Sequence, residues 1–354
     1  MIIQALKLTS ERRAPGAAAI KKARRSTMNV SPNLPLELIE HRPDILGEAQ
    51  GFGGFLFDVS GKLVVKDGLG WLYTTTVANE KWESWVRPFN FLTFQAGSPT
   101  RVLLPRPNDD RAVLHHVVAI TEQLFVGMYC DGLGVGAAIA SAPDGQFSRD
   151  DAFDFTPEVG WETRGGPADG WSLESNGAYL LYSDTAKETI FWQGYDSYYY
   201  RKDGSLGDLG WAKIRVEKGS GRVSLLNRHP RNPLAFRKPD WRCARCGGNL
   251  AIDVSIAGRK PFFYYIKPEA GPIVIGMALS NDPLFLNDTE HFVMDVMLGE
   301  EDVAEKFEAL QIGNELVLFY ESRLSSTARA AGPSFNDNSW RTALRRYKIL
   351  SDTV

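Results

Sequence analysis

The sequence predicts an all-β protein, and three observations carry that reading. Gly (33), Trp (9), Tyr (12) and Phe (19) are abundant, which supplies tight turns and aromatic packing surface. Few segments place apolar residues at helical spacing, and a short stretch near Gly299–Phe307 is the best candidate helix. Five segments share one plan: an apolar run, a short polar turn, then a second apolar run ending in Tyr.

The first segment joins Lys62–Val65 to Leu69–Tyr73 through Lys66-Asp67-Gly68. The second joins Val113–Ile120 to Leu124–Tyr129 through Thr121–Gln123. In the third, Gly170–Glu174 and Ala178–Tyr182 flank Ser175-Asn176-Gly177. In the fourth, Leu250–Ile256 and Pro261–Tyr265 flank Ala257–Lys260. The fifth joins Phe307–Ile312 to Glu315–Tyr320 through Gly313-Asn314. Asp-Gly, Asn-Gly, Gly-Arg and Gly-Asn suit tight hairpins because these residues tolerate positive φ. The Tyr residues are 56, 53, 83 and 55 positions apart, the long interval holding an insertion between about Tyr198 and Asp240. A further small-residue strand follows in the second and fourth segments, Val135–Ser141 and Val274–Ser280, and Thr189–Gln193 stands there in the third.

Three to four strands in each of five units is the arithmetic of a five-bladed β-propeller with four-stranded antiparallel blades. Ring closure buries sheet faces that a lone blade leaves exposed. A large β-sandwich is the competing fold, but it does not require Tyr at one distance from each turn. Residues 46–354 are expected to form the single propeller, closed near Ala49–Val59 or through Trp340–Leu350. Residues 1–45 read as a basic, flexible extension, with a transit-type peptide as the sharper alternative.

Charge excludes some functions. Lys plus Arg total 40 against 43 for Asp plus Glu, a net charge of -3, so neither a nucleic acid nor a membrane surface is the expected partner. No apolar run approaches the ~20 residues that span a bilayer. Three Cys argue against a disulfide framework, and a cytoplasmic location is expected.

In a propeller the first strand of each blade lines the axis, and polar groups at its entry converge on one pocket. Counting back from each Tyr gives Asp58 for blade one and His115 and His116 for blade two. Blade three gives Asp169, with Glu162 on the loop before it; blade four gives Asn249 and Asp253; blade five gives Glu305, Lys306 and Glu308. A ring of carboxylates in a dry core is costly, so it implies water, a cation or a polar ligand. Trp71 and Trp161 are the aromatic faces chosen to stack on a sugar, while inter-blade packing takes most of the other Trp residues.

The blade text Leu124–Phe147, its echo Pro261–Phe285 and the stretch Trp161–Asp184 resemble the five-bladed glycoside hydrolases related to arabinanases, β-xylosidases, invertases and mannoside phosphorylases. The resemblance spans about residues 50–350. It implies that Asp58 is the base or nucleophile and that Glu162, which precedes Gly165-Gly166-Pro167, is the acid, with Asp169 beside them. His115 and His116 stand where the family places an Asp on blade two. The implied substrate is an oligosaccharide or glycoside, cleaved with inversion by paired carboxylates and contacted by His115, His116, Asp253, Asn249, Glu305, Trp161 and Trp71. The missing blade-two Asp motivates a second reading, a non-catalytic carbohydrate-binding or scaffold propeller in polysaccharide production.

No cofactor and no metal is expected. Cys243 and Cys246 form half of a zinc motif without a second pair, and in a strand His115 and His116 point to opposite faces, so at most one reaches the axis.

Overall fold

A computed structural model describes residues 30–46, 56–57, 69–78, 81–109, 111–130, 134–158, 160–163, 171–201, 204–234, 248–250, 254–266, 274–287, 289–296, 301–324 and 340–350. Their order is β1 (Leu36–Arg42), β2 (Leu56–Phe57), and then five blades. Blade one holds β3 (Leu69–Ala78), β4 (Lys81–Asn90), β5 (Gln95–Ala96) and β6 (Thr100–Leu103). Blade two holds β7 (Val113–Thr121), β8 (Leu124–Cys130), β9 (Val135–Ala140) and β10 (Ser148–Asp150), followed by a single helical turn, α1 (Gly160–Thr163). Blade three is β11 (Trp171–Asp184), β12 (Glu188–Arg201), β13 (Gly204–Glu217) and β14 (Val223–Arg228). Blade four is β15 (Gly248–Leu250), β16 (Lys260–Ile266), β17 (Val274–Ser280) and β18 (Glu290–Val296). Blade five is β19 (Glu301–Ile312), β20 (Glu315–Leu324) and β21 (Trp340–Ile349), completed by β1 as its outermost strand.

Packing between the sheets makes the ring. Residues alternate faces along each strand, so one strand feeds two different cores. Phe262 packs toward Trp211 of blade three, whereas its neighbour Phe263 packs toward Phe307 and Leu316 of blade five. Blades one and two share a core containing Tyr73, Val102, Val117 and Phe125. Blades two and three meet through Val118, Val126, Phe191 and Ile214. Leu72 and Phe89 of blade one close the circle on Val317, Phe319 and Leu344 of blade five. Every blade is thus sandwiched between two others, an arrangement a two-sheet sandwich cannot produce.

The Tyr repeat has a packing cause. Tyr129, Tyr195 and Tyr264 lie opposite Gly136, Gly210 and Gly276 on the next strand, and Tyr320 lies opposite Ala343. A Cβ on Gly276 would stand 2.7 Å from the Tyr264 ring, so the glycine leaves the space the ring occupies. In blade three the structural equivalent is the buried Tyr195, not the expected Tyr182, whose side chain is 60% exposed. In blade four it is Tyr264, not the expected Tyr265, which lies opposite Ile275, and in blade one Tyr73 lies opposite Val86 rather than a glycine.

Other expectations need correction. Ser175–Gly177 is no turn: β11 runs through it, with a register shift between Ser175 and Tyr179. Positive-φ turn residues and bulge residues share one chemistry, which is why Asn-Gly misleads here. The fourth and fifth hairpins hold, with positive φ at Ala257, Gly258 and Gly313. The Lys66–Gly68 turn lies outside the described residues. The candidate helix at Gly299–Phe307 falls largely in strand β19. The propeller begins before residue 46, because β1 pairs with β21 across Leu36↔Ile349 and His41↔Arg345. Among the described residues no helix is long and apolar enough to cross a membrane.

Candidate functional site

The inner strands of the blades meet at the axis. Strand β11 lies against β7, β15 and β19, and β15 lies against β19. The short β2 runs parallel to β7, pairing Leu56 with Val117 and Phe57 with Val118. Three of these inner strands break register: β7 between Leu114 and His116, β11 between Ser175 and Tyr179, and β19 between Glu305 and Glu308. A bulge turns a side chain out of strict alternation, and such bulges concentrate beside functional sites.

At the bulge in β7 both histidines lie near acidic groups on other blades. His116 Nδ1 lies 2.6 Å from Glu308 Oε1 of β19. Its ring also faces Tyr179 of β11 at 6.1 Å between centroids. Ser175 Oγ and the Tyr179 hydroxyl are 3.2 Å apart. Burial, together with the nearby Glu308 charge, pushes the Tyr179 phenol well above its ordinary value. His115 lies with Glu174 of β11 and Cys130 at the end of β8. His116 is wholly buried, while Glu174 and Glu308 keep 6% and 8% exposure.

Glu162 is elsewhere. It sits in α1, fully buried, and accepts hydrogen bonds from the Tyr195 hydroxyl at 2.6 Å, from Arg228 Nε at 2.8 Å and from the Glu158 backbone N–H at 2.9 Å. Tyr195 is on the second strand of blade three and Arg228 on its outermost, so Glu162 ties α1 to the blade's flank. With Arg228 and the Tyr195 hydroxyl on its carboxylate, Glu162 is engaged inside blade three rather than with an inner strand. Trp161 packs on Tyr195 at 5.5 Å and Trp71 packs partly buried against the core between blades one and two, so both serve inter-blade packing. Asn249 lies in β15 and pairs with Phe263, and Glu305 lies in β19 and pairs with Glu321. Asp58, Asp169, Asp253, Cys243 and Cys246 lie outside the described residues.

Sequence reasoning missed Glu174, Cys130 and Tyr179. Glu174 and Tyr179 stand inside the third repeat segment, where the assumed turn at Ser175 hid their place on an inner strand. Cys130 gives no local signal, since its neighbours at the hub come from β7 and β11.

Among solved structures the propeller resembles the catalytic domain of the GH62 α-L-arabinofuranosidase of Coprinopsis cinerea. That match has a TM-score of 0.51 and 11% identity, and covers 88% of this chain and 98% of the other. It also resembles a protein solved in a complex with RGII, with a TM-score of 0.50 and 11% identity over 88% of this chain and 92% of that one. The likeness is one of fold. No family model and no curated protein matches the chain.

Proposed function

We propose that the chain acts on a carbohydrate bound at the hub and cleaves its glycosidic bond. The observation that carries this reading is the trio of bulged inner strands, on which His116, Tyr179 and Glu308 of three blades come into contact. An active site needs polar groups held at fixed positions against a rigid scaffold, and a propeller hub provides this. The α-L-arabinofuranosidase that shares the fold adds support.

In this reading Glu308, whose Oε1 lies 2.6 Å from His116 Nδ1, is the acid that gives a proton to the leaving oxygen. Asp58 is the base that activates water. It follows Phe57, which pairs with Val118 of β7, two residues beyond His116. Inversion is part of the proposal and calls for ~6.5–9.5 Å between the Asp58 and Glu308 carboxyl groups.

The test is a panel of aryl glycosides and oligosaccharides, arabinofuranosides included, with the reducing-end anomer followed by NMR. Wild-type turnover should fall by about 100-fold or more in Glu308→Gln and Asp58→Asn, while Glu162→Gln retains it. Turnover that survives both hub substitutions overturns the assignment.

One observation favours a second reading, a carbohydrate-binding propeller without catalysis. His116 is completely buried and stands where the resembling enzymes carry an Asp. Sugar binding by calorimetry without turnover of any panel member supports this second reading and ends the first.

A further inference from the structure

Among the described residues, one group of His, Cys, Asp and Glu side chains converges closely enough to hold a metal ion. It comprises His115, Cys130 and Glu174, whose ligand atoms all lie within 4.8 Å of one another. The three come from three strands in two blades. His115 stands at the β7 bulge, Cys130 is the last residue of β8, and Glu174 is on β11, which packs against both β7 and β8. All three are buried, Cys130 to 1% exposure. None of them is in the catalytic pair proposed above, so the inference stands apart from that reading.

We propose that His115, Cys130 and Glu174 form a site for a divalent transition metal of the zinc class. Zinc takes imidazole nitrogen at about 2.0–2.1 Å, thiolate sulfur at about 2.3 Å and carboxylate oxygen at about 2.0–2.2 Å. Tetrahedral ligation at those lengths sets ligand atoms roughly 3.3–3.8 Å apart, and three atoms already within 4.8 Å reach it by small side-chain rotations. The donor set selects the ion. Calcium and magnesium require six or more oxygen ligands, whereas a thiolate with an imidazole and one carboxylate suits zinc or cobalt. Charge agrees: a thiolate and a carboxylate in a dry core carry two negative charges, which a divalent cation offsets. Three protein ligands leave the fourth position for a water molecule. The site links blade two to blade three at the hub, so metal occupancy also staples two neighbouring blades.

The experiment uses cobalt(II) alone as the spectroscopic probe on the full chain after chelator treatment. Cys243 and Cys246 are the only other thiols, so Cys243→Ser/Cys246→Ser is the working background. The expected result is one equivalent of cobalt bound, with thiolate-to-metal charge-transfer absorption and intense tetrahedral d–d bands. Cys130→Ser should abolish the charge-transfer band. His115→Ala and Glu174→Gln should weaken binding by more than the roughly 10–100-fold that losing even an outer-shell partner costs. Zinc should displace the cobalt, and excess calcium should not. Zinc should raise the Tm of the background protein and leave that of its folded Cys130→Ala derivative unchanged. A missing charge-transfer band in the background protein, or a band that survives Cys130→Ser, overturns the proposal. So does displacement by calcium, or an equal Tm rise with and without Cys130.

Discussion

His116 Nδ1 and Glu308 Oε1 lie 2.6 Å apart, joining the inner strand of blade two to that of blade five across the hub. The pair closes a distance of 192 residues in the chain and touches a third blade through Tyr179. Removing one member of a buried pair strands the other in a dry environment, while replacing both with apolar groups does not. Glu308→Ala should therefore lower unfolding free energy by about 3 kcal/mol, and His116→Leu/Glu308→Leu should recover most of that loss. Urea titrations followed by tryptophan fluorescence measure both. A double variant no more stable than Glu308→Ala contradicts the pairing.

Glu162 makes a contrasting prediction, because three donors converge on its carboxylate and none of them lies on an inner strand. Glu162→Gln leaves Arg228 with its second partner, Glu158, at 2.7 Å, yet removes the buried charge that Arg228 and Tyr195 address. A loss of about 3 kcal/mol in stability is expected, with sugar binding per folded molecule unchanged. Equilibrium unfolding beside calorimetric titration separates the two effects.

Three buried phenols should weaken the fold at alkaline pH. Burial is the leading cause that lifts Tyr73, Tyr179 and Tyr195 above the usual value of 10.0, and nearby carboxylates (Asp144, Glu308 and Glu162) add to it. A raised native pKa means that the native state keeps a proton the unfolded chain loses. Stability from these groups is complete below pH ~10 and declines as pH rises above it, by up to ~1.4 kcal/mol per pH unit for each phenol. Stability curves between pH 8 and about 12 should bend downward near pH 10. Tyr195→Phe should make the decline shallower, and an unchanged slope in that variant removes Tyr195 from the account.

Much of the ring was legible because its causes are local. A hairpin turn needs positive φ within two residues, and Gly258 and Gly313 announce that in the sequence. A Tyr that fills the space above a cross-strand Gly needs only the two adjacent strands, so Tyr129 with Gly136 recurs as Tyr264 with Gly276, one residue before the Tyr265 that the repeat picks out. What failed was what local chemistry leaves ambiguous. Asn176-Gly177 reads equally as a turn or as the bulged middle of a 14-residue strand, and only the pairing of β11 with β12 decides. Glu162 carries a persuasive Gly-Gly-Pro neighbourhood, but its role is set by Arg228, 66 residues away. The hub is built from contacts between blades, which no window of the chain contains. Glu174 and Cys130 therefore stayed invisible, while Glu308 surfaced only through its place in the repeat.

Gly276 offers a direct test of the packing behind that repeat. A Cβ there meets the Tyr264 ring at 2.7 Å, and Tyr264 is itself held by a 2.9 Å contact between its hydroxyl and His291 Nδ1. The ring cannot swing aside without breaking that contact. Gly276→Ala should destabilise by about 1–3 kcal/mol, as overpacking does, and Gly276→Ala/Tyr264→Leu should cost less than the two single changes added together. Additive losses in thermal unfolding rule out the clash as the cause.

Closure of the ring depends on β1, so the two kinds of contact it makes should differ sharply in worth. Leu36 is buried in the core shared by blades four and five, whereas Arg346 reaches Glu40 at 2.6 Å and Glu315 at 2.5 Å with 30% of its side chain exposed. Both carboxylates accept hydrogen bonds from this partly exposed guanidinium, and the Glu40 pKa is lowered chiefly by that Arg346 bond. Solvent and salt screen such a pair, and its net contribution is about 0–1 kcal/mol. Truncating a buried Leu costs about 2–5 kcal/mol. Leu36→Ala should thus loosen the last blade far more than Arg346→Ala, visible as amide exchange rising first along β1 and β21. Adding salt should erase the small effect of Arg346→Ala and leave that of Leu36→Ala in place. If the two variants unfold at equal denaturant concentration, the clasp is held by charge rather than by apolar burial, and the account of ring closure given by the five inter-blade cores fails at this strand.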